Sequence, residues 1–296
     1  MDLLIATGSV PLEQRDIAPT SGTPQWATDG NPATGVPATN WPAWMFNMLL
    51  AEMINVVDQA GLPRSLTDWT QLYQAINKIV GPGRLINRQA FTSSANYIPA
   101  SGATLARVRG CGAGGPGGYA YPNPTSGSVS AGGGGGAGAE CDIWISLSGI
   151  TSVPVTIGSP AAAIASDAQN TGGDSMFGNY VTLKAGQGGA AGISSSSSSS
   201  SVTSGAKGGD YIGGTASLLL TSSILKKGAS GPVGLAVNGT AVPGFGASAT
   251  FGSPGAPGGD GAVNFGAGGG GGQSLSPGGS LGGIGGGAVF YVEEYA

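Results

Sequence analysis

The stretch Gly132-Gly-Gly-Gly-Gly136, with its later counterpart Gly268-Gly-Gly-Gly-Gly272, decides how this 296-residue chain can fold. Fifty of the 59 glycines follow residue 110, in a region without histidine. Glycine loses the most backbone freedom on folding and has no side chain to bury. Such a region is ordered only if backbone packs closely on backbone, or if short strands hold glycine loops between them. We expect an ordered glycine-rich surface that binds rather than catalyses.

Glycine does not recur at every third position, because Gly114 and Gly115 are adjacent, as are Gly117 and Gly118. This irregular spacing excludes a collagen triple helix.

The charges exclude several kinds of partner. Residues 1–110 carry seven Lys or Arg and seven Asp or Glu, whereas residues 111–296 carry four lysines and eight carboxylates, a net charge of −4. Phosphate binding depends on clustered Lys and Arg, so we expect no nucleic acid and no anionic membrane surface as partner. The most apolar stretch, residues 41–60, is interrupted by polar residues, which argues against membrane insertion. The N-terminus lacks the pattern of a signal peptide, so we expect synthesis in a cytoplasm.

Three regions of different pattern follow one another, and we predict a mixed fold from them. Residues 1–40, with prolines spaced through them, predict an extended arm that cannot form a core alone. Residues 41–88 predict a short α-helical region. Residues 89–296 predict a glycine-rich all-β domain with polyglycine-type loops. In that domain apolar residues alternate with a period of two at 89–93, 104–109, 141–147, 153–157, 180–184 and 288–295.

The first predicted helix, Trp41 to Ala60, is apolar on nearly every face. Such a helix must be buried, which favours a homotrimer around one axis over a small helical subdomain that packs on itself. The second helix follows a capping box at Ser65–Asp68, and its apolar stripe is opposed by a polar face that includes Gln71. The residues that we expect in the trimer interface are Trp44, Met48, Leu49, Met53, Val56, Leu72 and Ile76.

No motif predicts catalysis. Gly112-Ala-Gly-Gly-Pro-Gly117 satisfies G-x-G-x-x-G after a predicted strand, but Pro116 and later glycines prevent the helix that a dinucleotide site requires. Without histidine there is no Ser-His-Asp or Cys-His nucleophile, and the commonest zinc ligands are missing. A glycosidase needs two carboxylates, one with a raised pKa, and flexible glycine contexts provide little burial for this. We expect no enzyme activity, no cofactor and no metal; the carboxylates considered are Glu140, Asp142, Asp167, Asp174, Asp210 and Asp260.

The two cysteines flank the first glycine block. Cys111 ends one predicted strand and Cys141 begins the next. If these strands pair as a hairpin closed by residues 112–140, the thiols lie near each other at its base. Reduced, buried thiols are the expectation for a protein made in a cytoplasm.

Several stretches, in their order, resemble tail fibres of tailed bacteriophages and related prophages. The N-terminal part of these fibres is similar to Pro24-Gln-Trp-Ala-Thr-Asp-Gly-Asn-Pro-Ala-Thr-Gly-Val-Pro-Ala38, a Trp-rich helix and Leu66-Thr-Asp-Trp-Thr-Gln-Leu-Tyr-Gln-Ala-Ile76. Their C-terminal domains are similar to Phe91-Thr-Ser-Ser-Ala-Asn-Tyr-Ile-Pro-Ala100, a strand at Leu105–Gly110 and a glycine block. Some phage adhesins order such blocks as polyglycine helices packed side by side. The His-x-His metal-binding repeats of certain other fibre tips are absent.

The resemblance implies a trimeric fibre in the virion tail, anchored to tail or baseplate proteins through residues 1–40. Its glycine-rich end would bind a host surface receptor: a polysaccharide, a pilus or an outer-membrane protein. We expect the contact surface in the long connections 112–139, 159–175, 194–210 and 240–287. Because exposed aromatic residues are common anchors, the predicted receptor-binding residues are Tyr119, Tyr121, Phe245 and Phe251. The alternatives are a purely structural tail or baseplate component and a tailspike that degrades surface polysaccharide.

Overall fold

The computed structural model describes residues 7–23, 26–81, 83–123, 125–214, 223–275 and 277–296. Within these ranges the fold is largely β, with two short α-helices. Contacts divide the chain into one unit that ends at Arg84 and a second unit, Leu85–Ala296.

The first unit contains α1 (Ala43–Gln59) and α2 (Gln71–Val80). α1 starts later than predicted because Pro42, in an extended conformation, is its N-cap. α2 also starts late. The Ser65 hydroxyl accepts hydrogen bonds from the backbone N–H groups of Thr67 and Asp68. The residues of the expected capping box therefore form a separate turn that precedes α2.

The helices pack through small side chains. Their buried cluster consists of Val57, Ala60 and Ala75. The prediction that Gln71 lies on an exposed face is wrong: its side chain is buried, donates to the Pro63 carbonyl at 2.6 Å and accepts from the Ser65 N–H at 2.9 Å. These two hydrogen bonds satisfy the amide and turn the apolar stripe of α2 outward, so the exposed residues include Tyr73, Ile76, Ile79 and Val80.

Within the predicted arm, residues 28–39 form a closed turn. The Thr39 N–H donates to the Thr28 carbonyl at 2.8 Å, and Asn31 and Val36 exchange backbone hydrogen bonds of 2.8 and 3.1 Å around a 3-10 turn at Pro32–Thr34. This part of the arm is therefore folded back on itself rather than extended. Residues 1–6 and 24–25 of the predicted arm lie outside the described residues.

The second unit contains antiparallel sheets of short strands. The first five-stranded sheet has the order β1 (Leu85–Phe91), β17 (Val289–Tyr295), β3 (Leu105–Cys111), β5 (Glu140–Ser146) and β11 (Ile224–Lys226). The second has the order β10 (Tyr211–Gly213), β8 (Val181–Leu183), β7 (Ser175–Phe177), β6 (Val153–Thr156) and β2 (Ala95–Tyr97). A three-stranded sheet has the order β13 (Thr240–Val242), β12 (Gly234–Val237) and β9 (Ser200–Thr203). Two pairs complete the set: β14 (Gly252–Ser253) with β15 (Val263–Asn264), and β16 (Gln273–Ser274) with β4 (Ser130–Ala131).

The main hydrophobic core draws on both five-stranded sheets. In β3 the predicted alternation is confirmed, because Ala106 and Val108 are buried while Arg107 and Arg109 lie on the other face. The shared face predicted for the next strand is also confirmed, because its apolar members all lie in this core: Cys141, Ile143, Ile145 and Leu147.

The glycine-rich sequence forms a bundle of extended segments, here called the glycine bundle: 112–119, 132–139, 184–192, 204–209, 228–232, 244–247 and 266–272. Segment 132–139 donates its N–H groups to three neighbours in turn. Residues 132, 135 and 138 donate to segment 266–272, residues 133, 136 and 139 to 184–192, and residues 134 and 137 to 228–232, at 2.9–3.1 Å. A repeat of three residues without hydrogen bonds inside the segment is the pattern of a polyproline II-type helix. The period of three lies in the hydrogen bonding and not in the spacing of glycines.

The carbonyl groups of the same segment accept from three further neighbours, 112–119, 204–209 and 244–247. Segment 132–139 therefore has six neighbours, and all eight of its N–H groups are paired. This arrangement satisfies the buried backbone without a sheet.

Glycine is required in the bundle by its size. A Cβ on Gly135 would lie closer than the van der Waals distance to the carbonyl oxygens of Gly115 and Pro116. A Cβ on Gly133 would clash in the same way with the carbonyl oxygen of Ser204. Neither residue has a left-handed φ. Of the two arrangements expected for the glycine-rich region, close packing of backbone on backbone is therefore the one that orders these segments.

Candidate binding surface

The glycine bundle has two ends. At one end, segment 132–139 runs into β5 and the first five-stranded sheet. At the other end lie four connections, here called the loop end: residues 119–131, 192–204, 232–244 and 272–282. At about 3.1 Å per residue, the eight residues of 132–139 separate the loop end from the sheet by roughly 25 Å. Residues 124 and 276 of these connections lie outside the described residues.

The four connections hold one another in place. Ala120 forms β-bridges with both Gly192 and Ser280, which belong to the second and fourth connections. The side chain of Gln273 donates to the Ala241 carbonyl at 2.9 Å and so links the fourth connection to the third. A small apolar cluster beneath them consists of Val129, Ala131, Ala236 and Ala241. The loop end is therefore one continuous surface.

A buried asparagine joins the first and fourth connections. The Asn123 amide donates to the Ser274 carbonyl at 2.9 Å and to its hydroxyl at 3.1 Å. Nearby, the Ser130 hydroxyl donates to the Tyr121 carbonyl at 2.6 Å. These bonds fix the backbone beside the two tyrosines.

The loop end carries no formal charge. Its four connections contain no Asp, Glu, Lys or Arg, whereas the second unit has charges elsewhere. Its exposed apolar side chains are aliphatic: Ile193, Val202, Val233, Val237, Val242, Leu275 and Leu281. These connections can bind by shape, hydrogen bonds and apolar contact. An exposed carboxylate adjoins them, because Asp167 accepts from the Ala191 N–H at 3.3 Å, next to Gly192.

The predicted receptor-binding residues separate into two places. Tyr119 and Tyr121 lie at the loop end, half-buried, with their rings edge to face at a centroid distance of 5.2 Å. Phe245 lies just below it and is 54% exposed. Phe251 is not part of this surface, because it packs on Tyr291 of β17 at 5.8 Å, at the opposite end of the bundle.

The predicted contact ranges are too wide. Gly132–Gly136 and Gly268–Gly272 are buried inside the bundle and cannot form a contact surface. The expectation of a glycine-rich surface is therefore wrong for these runs. Because segment 132–139 is surrounded by hydrogen-bonded neighbours, its glycines are not available for contact. The predicted range 159–175 is largely exposed and is not one of the four connections of the loop end.

In the first unit, the residues predicted in a trimer interface stay accessible. Met48, Leu49 and Ile76 are exposed, and the others are half-buried: Trp44, Met53, Val56 and Leu72. Along α1 a cavity of about 240 Å³ is lined by Trp41, Met45, Met48, Leu49 and Glu52. The helix thus keeps an apolar face that the described part of the chain does not cover.

The outer face of the first five-stranded sheet carries a cluster of paired charges. Arg107 binds Asp142 through two hydrogen bonds, with its Nε at 2.8 Å, and its guanidinium lies 5.6 Å from the Trp144 ring centroid. The hydrogen bond from Arg107 lowers the pKa of Asp142 below its usual value. Glu293 accepts from Arg88 at 3.0 Å and from Arg109 at 3.2 Å.

Glu140 lies where β5 meets the bundle and is 8% exposed. Burial acts to raise its pKa, but hydrogen bonds from Thr250, at 2.6 Å (N–H) and 2.7 Å (hydroxyl), together with Lys226 at 3.2 Å, lower the pKa overall. The two carboxylates of β5, Glu140 and Asp142, are therefore ionised and paired with basic residues, whereas a general acid needs a raised pKa that keeps its proton.

The predicted pairing of the cysteine-bearing strands is confirmed, because β3 and β5 pair with Cys111 opposite Glu140 and Gly110 opposite Cys141. Since neighbouring residues of a strand point to opposite faces, this register places the two thiols on opposite faces of the sheet. Both cysteines are free and buried. Burial raises the pKa of Cys111 to about 12 and raises that of Cys141 as well.

Two further kinds of site are missing from the described residues. They contain no group of three or more His, Cys, Asp or Glu placed to hold a metal ion. None of their helices combines the length and hydropathy needed to cross a membrane. In the comparisons with known proteins, the chain matches no protein family and no curated protein sequence.

Proposed function

We propose that this chain is the receptor-binding tail fibre of a tailed bacteriophage or prophage, and that it attaches the virion to the host through the loop end. The observation that carries the proposal is an uncharged surface of four interlocked connections at the far end of a backbone-packed bundle. The order of the sequence stretches that resemble tail fibres supports this class of protein.

The first unit supports a fibre that assembles from three chains. α1 exposes Met45, Met48 and Leu49 along one side, and α2 exposes Tyr73 and Ile76. Packing around a three-fold axis would remove these side chains from water. Residues 1–40 then connect the trimer to tail or baseplate proteins.

The two alternatives draw less support. A purely structural component would bury the aliphatic side chains of the loop end against another virion protein, whereas the resemblance to fibre C-terminal domains favours an end that faces the host. A polysaccharide-degrading tailspike needs a carboxylic acid of raised pKa, whereas Glu140 and Asp142 have lowered pKa values and bind basic residues.

Purified full-length protein tests the proposal. Added in excess to host cells, it should saturate receptors and block adsorption of the phage that carries it. Because the loop end has no charges, binding should change less than about twofold between 0.05 and 0.5 M salt. Tyr121→Ala should slow adsorption. A protein that never binds cells would indicate the structural alternative, and release of sugars from the envelope would indicate the enzyme.

A further inference from the structure

The three-stranded sheet at the loop end has an unusual distribution of side chains. Its strands pair so that one outward row runs across all three, and this row consists of Val202, Leu235 and Val242. The next outward row consists of Ser200, Val237 and Thr240. The inward row consists of the small residues Ser201, Ala236 and Ala241. We call the four outward aliphatic residues, Val202, Leu235, Val237 and Val242, the valine face.

The valine face departs from the usual polarity of a sheet with one packed side, because apolar residues lie on both faces of this sheet. An antiparallel sheet normally turns apolar residues inward and polar residues to water. Here the inward row packs on Val129 and Ala131, while Val202 is 70% exposed, Val242 52% and Val237 40%. Exposed apolar patches with a polar rim mark interaction sites. Ser200, Asn238 and Thr240 provide such a rim.

The chemistry of the face selects its partner. Sugars are commonly held by aromatic faces and fixed polar groups, and the valine face has branched aliphatic side chains instead. A charged partner would lose hydration and gain no ion pair, because the loop end has no charged residue. The partner surface that best complements the valine face is therefore uncharged and aliphatic.

The size of the face argues against a stable, long-lived interface of the kind that holds two copies of one chain together. Burying one aliphatic side chain contributes about 1.5–3 kcal/mol at roughly 25 cal/mol per Å² of apolar surface, so four such residues offer on the order of 250–500 Å² of buried surface. Each partner in a stable interface contributes roughly 800 Å². A patch of this size gives weak binding per chain, which suits a fibre that reaches one cell surface through several chains at once.

We propose that the valine face docks an uncharged, aliphatic surface of a protein receptor in the host envelope, rather than a glycan. The inference rests on the proposed function and narrows its receptor to the protein class.

The test uses full-length protein on a host strain to which it binds. Val242→Lys should lower cell binding at least tenfold, and the milder Val202→Thr should lower it severalfold, with melting temperatures unchanged because both side chains are exposed. Val263→Lys is the matched control, since Val263 is 59% exposed on β15, outside the loop end, and this variant should bind normally. Protease treatment of the cells should remove binding, whereas periodate oxidation of their glycans should leave it intact.

Each other outcome overturns part of the account. If Val242→Lys binds like wild type, or if periodate abolishes binding and protease does not, the valine face does not dock a protein and the proposed function still stands. If Val242→Lys lowers the molecular mass in solution, the face contacts a second copy. If the wild type binds no cells, the proposed function fails and the inference fails with it.

Discussion

Replacing Gly135 by alanine tests whether the glycine bundle is held by backbone packed on backbone. The new Cβ would collide with the carbonyl oxygens of Gly115 and Pro116, which are backbone atoms and cannot move aside like a side chain. Overpacking a well-packed site costs about 1–3 kcal/mol, and we expect the upper end here. The entropic gain of Gly→Ala, about 0.4–1 kcal/mol, offsets only part of this.

For a unit the size of Leu85–Ala296, a loss of about 2–3 kcal/mol corresponds to a decrease in melting temperature of roughly 4–12 °C. Scanning calorimetry of the full-length protein measures it. Gly278→Ala is the matched control: an added Cβ there meets nothing within 4 Å, so its melting temperature should be unchanged or slightly higher. If Gly135→Ala melts within about 2 °C of wild type, the close approach of these segments is wrong.

Four further predictions concern other parts of the molecule. The pKa of Glu140 is lowered in the folded state, so its carboxylate stabilises the fold above the unfolded pKa near 4.5, and this stabilisation is lost as the pH falls through the folded pKa. Between pH 6 and pH 3 the melting temperature of Glu140→Gln should therefore fall less than that of wild type. Cys111 and Cys141, on opposite sheet faces, should stay reduced under mild oxidant and react with a thiol reagent only on unfolding; mass spectrometry showing an intramolecular disulfide would contradict the register. Light scattering should give the mass of three chains for wild type and a lower mass for Leu49→Lys, since Leu49 lies in the exposed apolar face of α1; a wild-type monomer would refute the trimer. Gly30→Ala should open the turn at 28–39, because Gly30 has a φ of +72° and a Cβ would meet the backbone of residues 36–38; faster amide exchange at Val36 should report this, and unchanged exchange would contradict it.

The strands were predictable where side chains alternate. Ala106 and Val108 against Arg107 and Arg109 gave the correct inward face of β3, because a strand places successive side chains on opposite faces. The same pattern placed Cys141 in the core. Glu294 follows the same alternation as Phe290 and Val292 although it is charged. It is fully buried and accepts a hydrogen bond from the Ala100 N–H at 3.1 Å.

The glycine bundle was predictable only as a pair of alternatives. The sequence indicates that glycine backbone must pack on backbone or be held as loops, but a residue without a side chain carries no pattern that identifies its neighbours. The neighbours of segment 132–139 come from residues 112–119 to 266–272, so they depend on the whole topology. The burial of Gln71 was missed because two hydrogen bonds from the preceding turn outweigh the helical hydrophobic pattern.

The loop end was predictable in part. The sequence placed Tyr119 and Tyr121 in a long connection, where the structure also has them, whereas Phe251, selected for its aromatic ring, packs on Tyr291. The receptor contacts of these residues stay a prediction. It gave no weight to Val202, Leu235 and Val242, because strand register determines that these aliphatic residues form one outward row. The absence of charge in all four connections was a signal in the sequence that could have grouped them as one region.

The central claim, that this protein binds its host through the loop end, is tested most directly by hydrogen–deuterium exchange of the full-length protein with and without outer-membrane vesicles from a host strain. The account predicts that vesicles slow amide exchange in residues 192–204 and 232–244, and in the neighbouring connections 119–131 and 272–282. Exchange on the outer face of the first five-stranded sheet should not change. Protection confined to that sheet face, around Arg107 and Glu293, would contradict the claim.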